Sequence, residues 1–143
     1  MKGYNKWSYS PYKPLINDGA KIYISRVAPN ENSVHFEWMS DDTSFNVFYK
    51  KRDAADFILY KTTSEHECDI PDLEPETDYE FKVLSDKNFS PVRLFRTGKV
   101  VGTVVNYLHP DDTVYAFSGR YLCSPSFVKH PDGYLLSSMD IFA

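Results

Sequence analysis

Long apolar runs are missing from this 143-residue chain. A helix that spans a bilayer needs about 20 consecutive apolar residues, so none is expected. Cysteine is scarce: Cys68 and Cys123 are the only 2, and they fall in stretches that read as different modules. A disulfide framework is therefore not expected, and a reducing compartment fits. A basic stripe is missing too. The 16 Lys and Arg are scattered among 20 Asp and Glu, and the net charge is −4. That balance argues against nucleic acid as a partner. The opening residues, Met1 to Trp7, carry charge but no apolar core and do not read as a secretory signal. The expected location is cytoplasmic, with an extracellular one left open if further residues precede Met1. The four histidines, His35, His66, His109 and His130, have no second His or Cys at ligand spacing. Zinc is disfavoured on that ground, and no metal or cofactor is expected. Asp111-Asp112 lacks the alternating oxygen ligands of a calcium loop and reads as a turn after Pro110.

Aromatic residues are what the chain has in excess, with 11 Tyr and 10 Phe. Aromatic and β-branched side chains favour strands. From Ser33 to Met39 the residues alternate, with Val34, Phe36 and Trp38 on one face and His35 and Glu37 on the other. This is the pattern of a half-buried antiparallel strand. Similar runs are expected at Lys21–Ala28, at Phe45–Tyr49, at Phe57–Thr62, around Cys68 and Ile70, and at Tyr79–Leu84. Ser90–Thr97 closes the set through Val92 and Leu94. About seven short strands with regular turn signals and no helix predict an all-β sandwich.

The sharpest local signal is Leu73-Glu74-Pro75-Glu76-Thr77-Asp78-Tyr79. Leu73 and Tyr79 bracket a Pro and a Thr at the spacing of a tyrosine corner, in which a Tyr hydroxyl bonds backbone upstream of its strand. With Trp38 on the second strand and Tyr49 on the third, the stretch from Ile16 to Lys99 resembles a fibronectin type III domain. The resemblance implies an immunoglobulin-like sandwich over 16–99, with Trp38, Tyr49, Leu73, Pro75, Thr77 and Tyr79 as structural core. Such domains serve mostly as scaffolds or spacers, so function is sought elsewhere in the chain.

Two segments flank that sandwich. Residues 1–15 carry Tyr4, Trp7, Tyr9 and Tyr12 among Ser, Asn, Lys and Pro, with neither helical nor strand periodicity. They read as an extended arm. Its rings either pack on a neighbouring module or stack on sugar rings, which makes carbohydrate a candidate ligand. After a hinge at Gly98–Gly102, residues 100–143 form a linker and a hairpin. Pro131-Asp132-Gly133 between two apolar runs is the turn. This hairpin resembles the opening strands of sialidase-like β-propeller glycoside hydrolases through Pro125, Pro131-Asp132-Gly133, Leu135-Leu136 and the acidic Asp140. Cys123 stands where that family has the arginine that holds a substrate carboxylate, and Arg120 lies three residues earlier. Arg120 and Asp140 are thus the candidate catalytic residues.

The leading expectation is a non-catalytic accessory module at the N-terminal end of a larger carbohydrate-active hydrolase, inactive alone. Its partner would be the rest of that hydrolase, or a second copy bound through the hairpin. The competing expectations are a stand-alone protein-interaction module acting through a sheet edge, and a carbohydrate-binding module using the aromatic arm. No membrane partner is expected.

Overall fold

The computed structural model describes residues 22–112, 121–133 and 135–142. It is all β. Seven strands build two antiparallel sheets, and two more form a separate hairpin. The first sheet has the order β1-β2-β5, with β1 at Tyr23–Pro29, β2 at Val34–Met39 and β5 at Glu67–Ile70. The second has the order β4-β3-β6-β7, with β3 at Phe45–Lys51, β4 at Ile58–Thr63, β6 at Asp78–Leu84 and β7 at Arg93–Arg96. This three-on-four arrangement is the expected immunoglobulin-like sandwich.

Alternation in sequence sets the core. Val34, Phe36 and Trp38 of β2 face Val47 and Phe45 of β3 and Tyr79, Phe81 and Val83 of β6, all buried. Phe36 stacks on Phe81 with ring centroids 3.8 Å apart, and Phe95 meets Phe36 edge-on at 5.4 Å. Tyr79 stacks on Phe95, and Trp38 meets Phe45 edge-on. Each such pair adds about 0.5–1.5 kcal/mol beyond the area it buries.

Of the two residues through which the last strand was read, Val92 is 41 % exposed while Leu94 is buried, and Phe95 fills the core beside it. The cause is register: β7 pairs with β6 so that Phe95 lies opposite Tyr79 and Arg93 opposite Phe81. Arg93 and Phe95 thus share the inward face, and Arg93 is buried.

The tyrosine corner is present. Tyr79 Oη accepts a 2.9 Å hydrogen bond from the backbone N of Glu74, five residues upstream. Leu73 is buried and its N–H donates to Asn32 O. Asp72 and Glu76 take left-handed backbone angles, with φ of 58° and 51°, to turn the chain around the corner. Trp38, Leu73 and Tyr79 are core residues, and Tyr49 packs partly buried against them. Pro75 is exposed and Thr77 only half-buried, so these two shape the turn's outer surface and not the core. Thr77 Oγ1 donates to Pro75 O at 2.8 Å. The buried hydroxyl that ties the corner is Thr97, which donates to Glu74 O at 2.6 Å and accepts from Thr77 N at 3.1 Å.

The hairpin pairs β8 (Tyr121–Lys129) with β9 (Leu135–Phe142). Gly133, with φ of 93°, supplies the left-handed residue of the turn, and its N–H donates to His130 O. A register irregularity lies between Cys123 and Ser126, where Pro125 falls. A proline cannot donate to a ladder, and such a break is where a strand accommodates one.

Candidate functional site

Three features of the sandwich surface carry chemistry. The first is the segment 105–112, which lies against the flank formed by β1 and β7. Both are edge strands of their sheets. Asn106 Oδ1 accepts from the backbone N–H of Val27 in β1 and from Tyr107 N, each at 2.9 Å. Arg26 Nε donates to Val105 O at 2.8 Å. Tyr107 packs on the core cluster, and burial pushes its phenol pKa up. His109-Pro110-Asp111-Asp112 forms a turn closed by Asp112 N donating to His109 O. The turn drives the Asp112 carboxylate into the flank, where its side chain is 0 % exposed. There Asp112 Oδ2 accepts from Arg93 Nε at 2.6 Å and lies 3.4 Å from the Leu94 N–H of β7. On the same flank, Arg96 and His109 both reach Asp78 Oδ1, at 2.9 and 3.5 Å. Burial would raise the Asp78 pKa, but the hydrogen bonds from Arg96 and His109 outweigh it and hold the carboxyl below the usual range.

The second feature is a polar cluster on the outer face of the three-stranded sheet. Antiparallel pairing of β2 with β5 sets His35 opposite Asp69 and Glu37 opposite Glu67. His35 Nδ1 is 2.8 Å from Asp69 Oδ1, and His35 Nε2 is 3.2 Å from Glu37 Oε1. Arg26 Nη1 donates to Glu37 Oε1 at 2.8 Å and is the main reason the Glu37 carboxyl is held low. His35, Glu37 and Glu67 each place one ligand atom within 4.8 Å of the others, as the residues of a metal site would.

The third feature is the β4 edge. Among the described residues β4 pairs with β3 alone. Ile58 and Leu59 are 59 % and 51 % exposed, and Tyr60 is also exposed. Beneath β4 lies Cys68, a buried free thiol whose pKa is raised by that burial.

Of the residues singled out in the sequence, Tyr4, Trp7, Tyr9, Tyr12 and Arg120 lie outside the described residues. The backbone of Asp140 pairs opposite Cys123 in the hairpin, and its side chain is outside the described set. On the hairpin Phe127 and Val128 are 63 % and 59 % exposed.

No family model and no curated protein sequence matches this chain. Solved structures do match. The FN5 domain of Drosophila Lar is 16 % identical, with a TM-score of 0.47, over 57 % of this chain and 99 % of that one. A fibronectin type III domain of the human KIAA0970 protein is 17 % identical, with a TM-score of 0.47, over 62 % of this chain and 80 % of its own. The sensor domain of the anti-sigma factor RsgI4 of Pseudobacteroides cellulosolvens is 18 % identical, with a TM-score of 0.46, over 57 % and 97 %. The sheet order and the tyrosine corner carry the architecture. The fold is a fibronectin type III-like sandwich.

Sequence reasoning missed Asp112, Arg93 and the His35 cluster. For the cluster a signal existed, since His35 and Glu37 share the outward face of β2. Only the register with β5 shows that Glu67 and Asp69 lie opposite them.

Proposed function

We propose that this chain is a non-catalytic module that fixes the point from which the polypeptide beyond Asp112 departs. The burial of Asp112 against Arg93 carries this reading. A flexible connector would leave both charges in water, whereas this one takes a carboxylate and a guanidinium out of solvent together. Such a pair is costly to desolvate and is stable only with good geometry. The 2.6 Å contact provides that geometry. The chain thus continues from a fixed anchor, which suits a module that orients the polypeptide downstream of it. The resemblance of the hairpin sequence extends the proposal to an accessory module of a sialidase-like, carbohydrate-active hydrolase.

Backbone ¹⁵N relaxation tests the anchor. Order parameters of about 0.85 are expected from Asn106 to Asp112, as in the strands, falling below about 0.6 in Asp112→Ala. Uniformly low values in the unmodified chain would sink the proposal.

A second reading is favoured by the exposed Ile58, Leu59 and Tyr60 on an open edge. In it, β4 takes an extended protein segment as an added strand, with main-chain hydrogen bonds for affinity and side-chain contacts for specificity. Lys61 on β4 favours a segment that pairs apolar residues with an acidic one. Loss of segment binding in Leu59→Lys, with the fold intact, is the expected result. Unchanged binding would exclude β4 as the site.

A further inference from the structure

We infer that the outer face of the three-stranded sheet is a binding site for a zinc-class divalent cation, with His35, Glu37 and Glu67 as ligands. The argument begins with donor types. A neutral imidazole nitrogen with two carboxylates is a borderline set that suits Zn²⁺ and its neighbours better than the all-oxygen cages of calcium or magnesium. Spacing comes next. The three ligand atoms lie within 4.8 Å of one another, and His35 Nε2 is 3.2 Å from Glu37 Oε1. Ligand bonds of about 2.0–2.2 Å in tetrahedral directions set neighbouring donors about 3.3 Å apart. One pair is already at that separation, and Glu67, on an exposed side chain, has the freedom to close the third corner.

The surroundings resemble those of metal ligands in general. A ligating histidine usually donates its other ring N–H to a carboxylate, which fixes the tautomer and turns the free nitrogen toward the ion. Asp69 Oδ1, 2.8 Å from His35 Nδ1, stands in that position. Arg26 holds Glu37 through Oε1 at 2.8 Å, and a carboxylate has further lone pairs to offer an ion. Charge also favours a cation. Glu37, Glu67 and Asp69 bring three carboxylates to His35, against one guanidinium, Arg26, which pairs with Glu37. All the ligands project from paired strands and not from loops, so little ordering is needed on binding. Three protein ligands leave the fourth tetrahedral position to water.

Isothermal titration of the whole chain with Zn²⁺ tests the inference, with Mg²⁺ as the control cation. One saturable equivalent of Zn²⁺ and no Mg²⁺ heat are expected. His35→Gln and Glu67→Gln should each abolish that equivalent. Asp69→Asn, which touches only the second ring nitrogen, should weaken it by about ten- to a hundredfold. His66→Gln and His130→Gln should leave it unchanged. A circular dichroism spectrum matching that of the parent checks the fold of each variant, and Glu67, being exposed, is the substitution least able to disturb it. Absence of Zn²⁺ binding, or binding that survives both His35→Gln and Glu67→Gln, would overturn the site.

Discussion

The two flanks of the sandwich are finished in different ways. On the β1 and β7 side, residues 105–112 bond edge strands of both sheets, through Asn106 to Val27 and through Asp112 to Arg93 beside Leu94. On the far side, β5 is only four residues long and carries exposed Glu67 and Asp69. Short length and charge are ways in which proteins discourage stray pairing at an edge. Its neighbour β4 is less protected: six residues long, with Lys61 as its one charge, it shows Ile58, Leu59 and Tyr60 to solvent. Among the described residues, one flank uses its hydrogen-bonding capacity within the chain, and the β4 edge of the other does not.

The largest effect is expected where a buried charge loses its opposite. Asp112→Ala should cost about 3–5 kcal/mol, because the Arg93 guanidinium stays buried without the carboxylate that faces it. Replacing both, as Arg93→Met with Asp112→Leu, should recover most of the loss. Urea midpoints read both outcomes, and a single variant within 1 kcal/mol of the parent, roughly an ordinary surface change, would show that the flank is not sealed. Next comes Asn106→Ala, which removes the acceptor for two backbone N–H groups and should cost about 1–2 kcal/mol by the same assay.

Acid should open the sealed flank in a defined window. The folded pKa of Asp78 is depressed, so its contribution to stability is fully present above the unfolded value of about 3.9 and is lost as pH falls through the folded one. The gap in urea midpoint between the parent and Asp78→Asn should therefore shrink as pH falls from about 7 through and below the unfolded carboxylate value, since protonation removes in the parent what the variant already lacks. A gap that stays constant with pH would contradict the role given to Asp78. The smallest effect belongs to the open flank. Leu59→Lys should change stability by less than about 0.5 kcal/mol, since the side chain is half exposed.

This contrast also explains what could be read from the sequence. The seven sandwich strands and the corner were legible because alternation and turn chemistry are local, and Val34, Phe36 and Trp38 advertise their face directly. Arg93 was not legible. Its charge argued for solvent, and the carboxylate it meets, Asp112, lies 19 residues away in the chain. Asp112 was hidden by the same logic, since after Pro110 it has the look of any turn residue. The His35 cluster depends on ligands from two strands separated by about thirty residues, which no spacing rule within one strand can bring together. The hairpin and its Gly133 turn were legible because Pro131-Asp132-Gly133 between two apolar runs is local turn chemistry, while the resemblance of the tail to propeller hydrolases supplies the hydrolase part of the proposal through sequence alone.

Native-state hydrogen exchange at the Val27 amide tests the sealed flank most directly. This N–H belongs to an edge strand and bonds Asn106 Oδ1 at 2.9 Å. Sealing by residues 105–112 requires it to exchange with a free energy near that of global unfolding in the parent, and to fall to the level of an open edge in Asn106→Ala. A Val27 amide that already exchanges in the parent as fast as a frayed terminus would contradict the account.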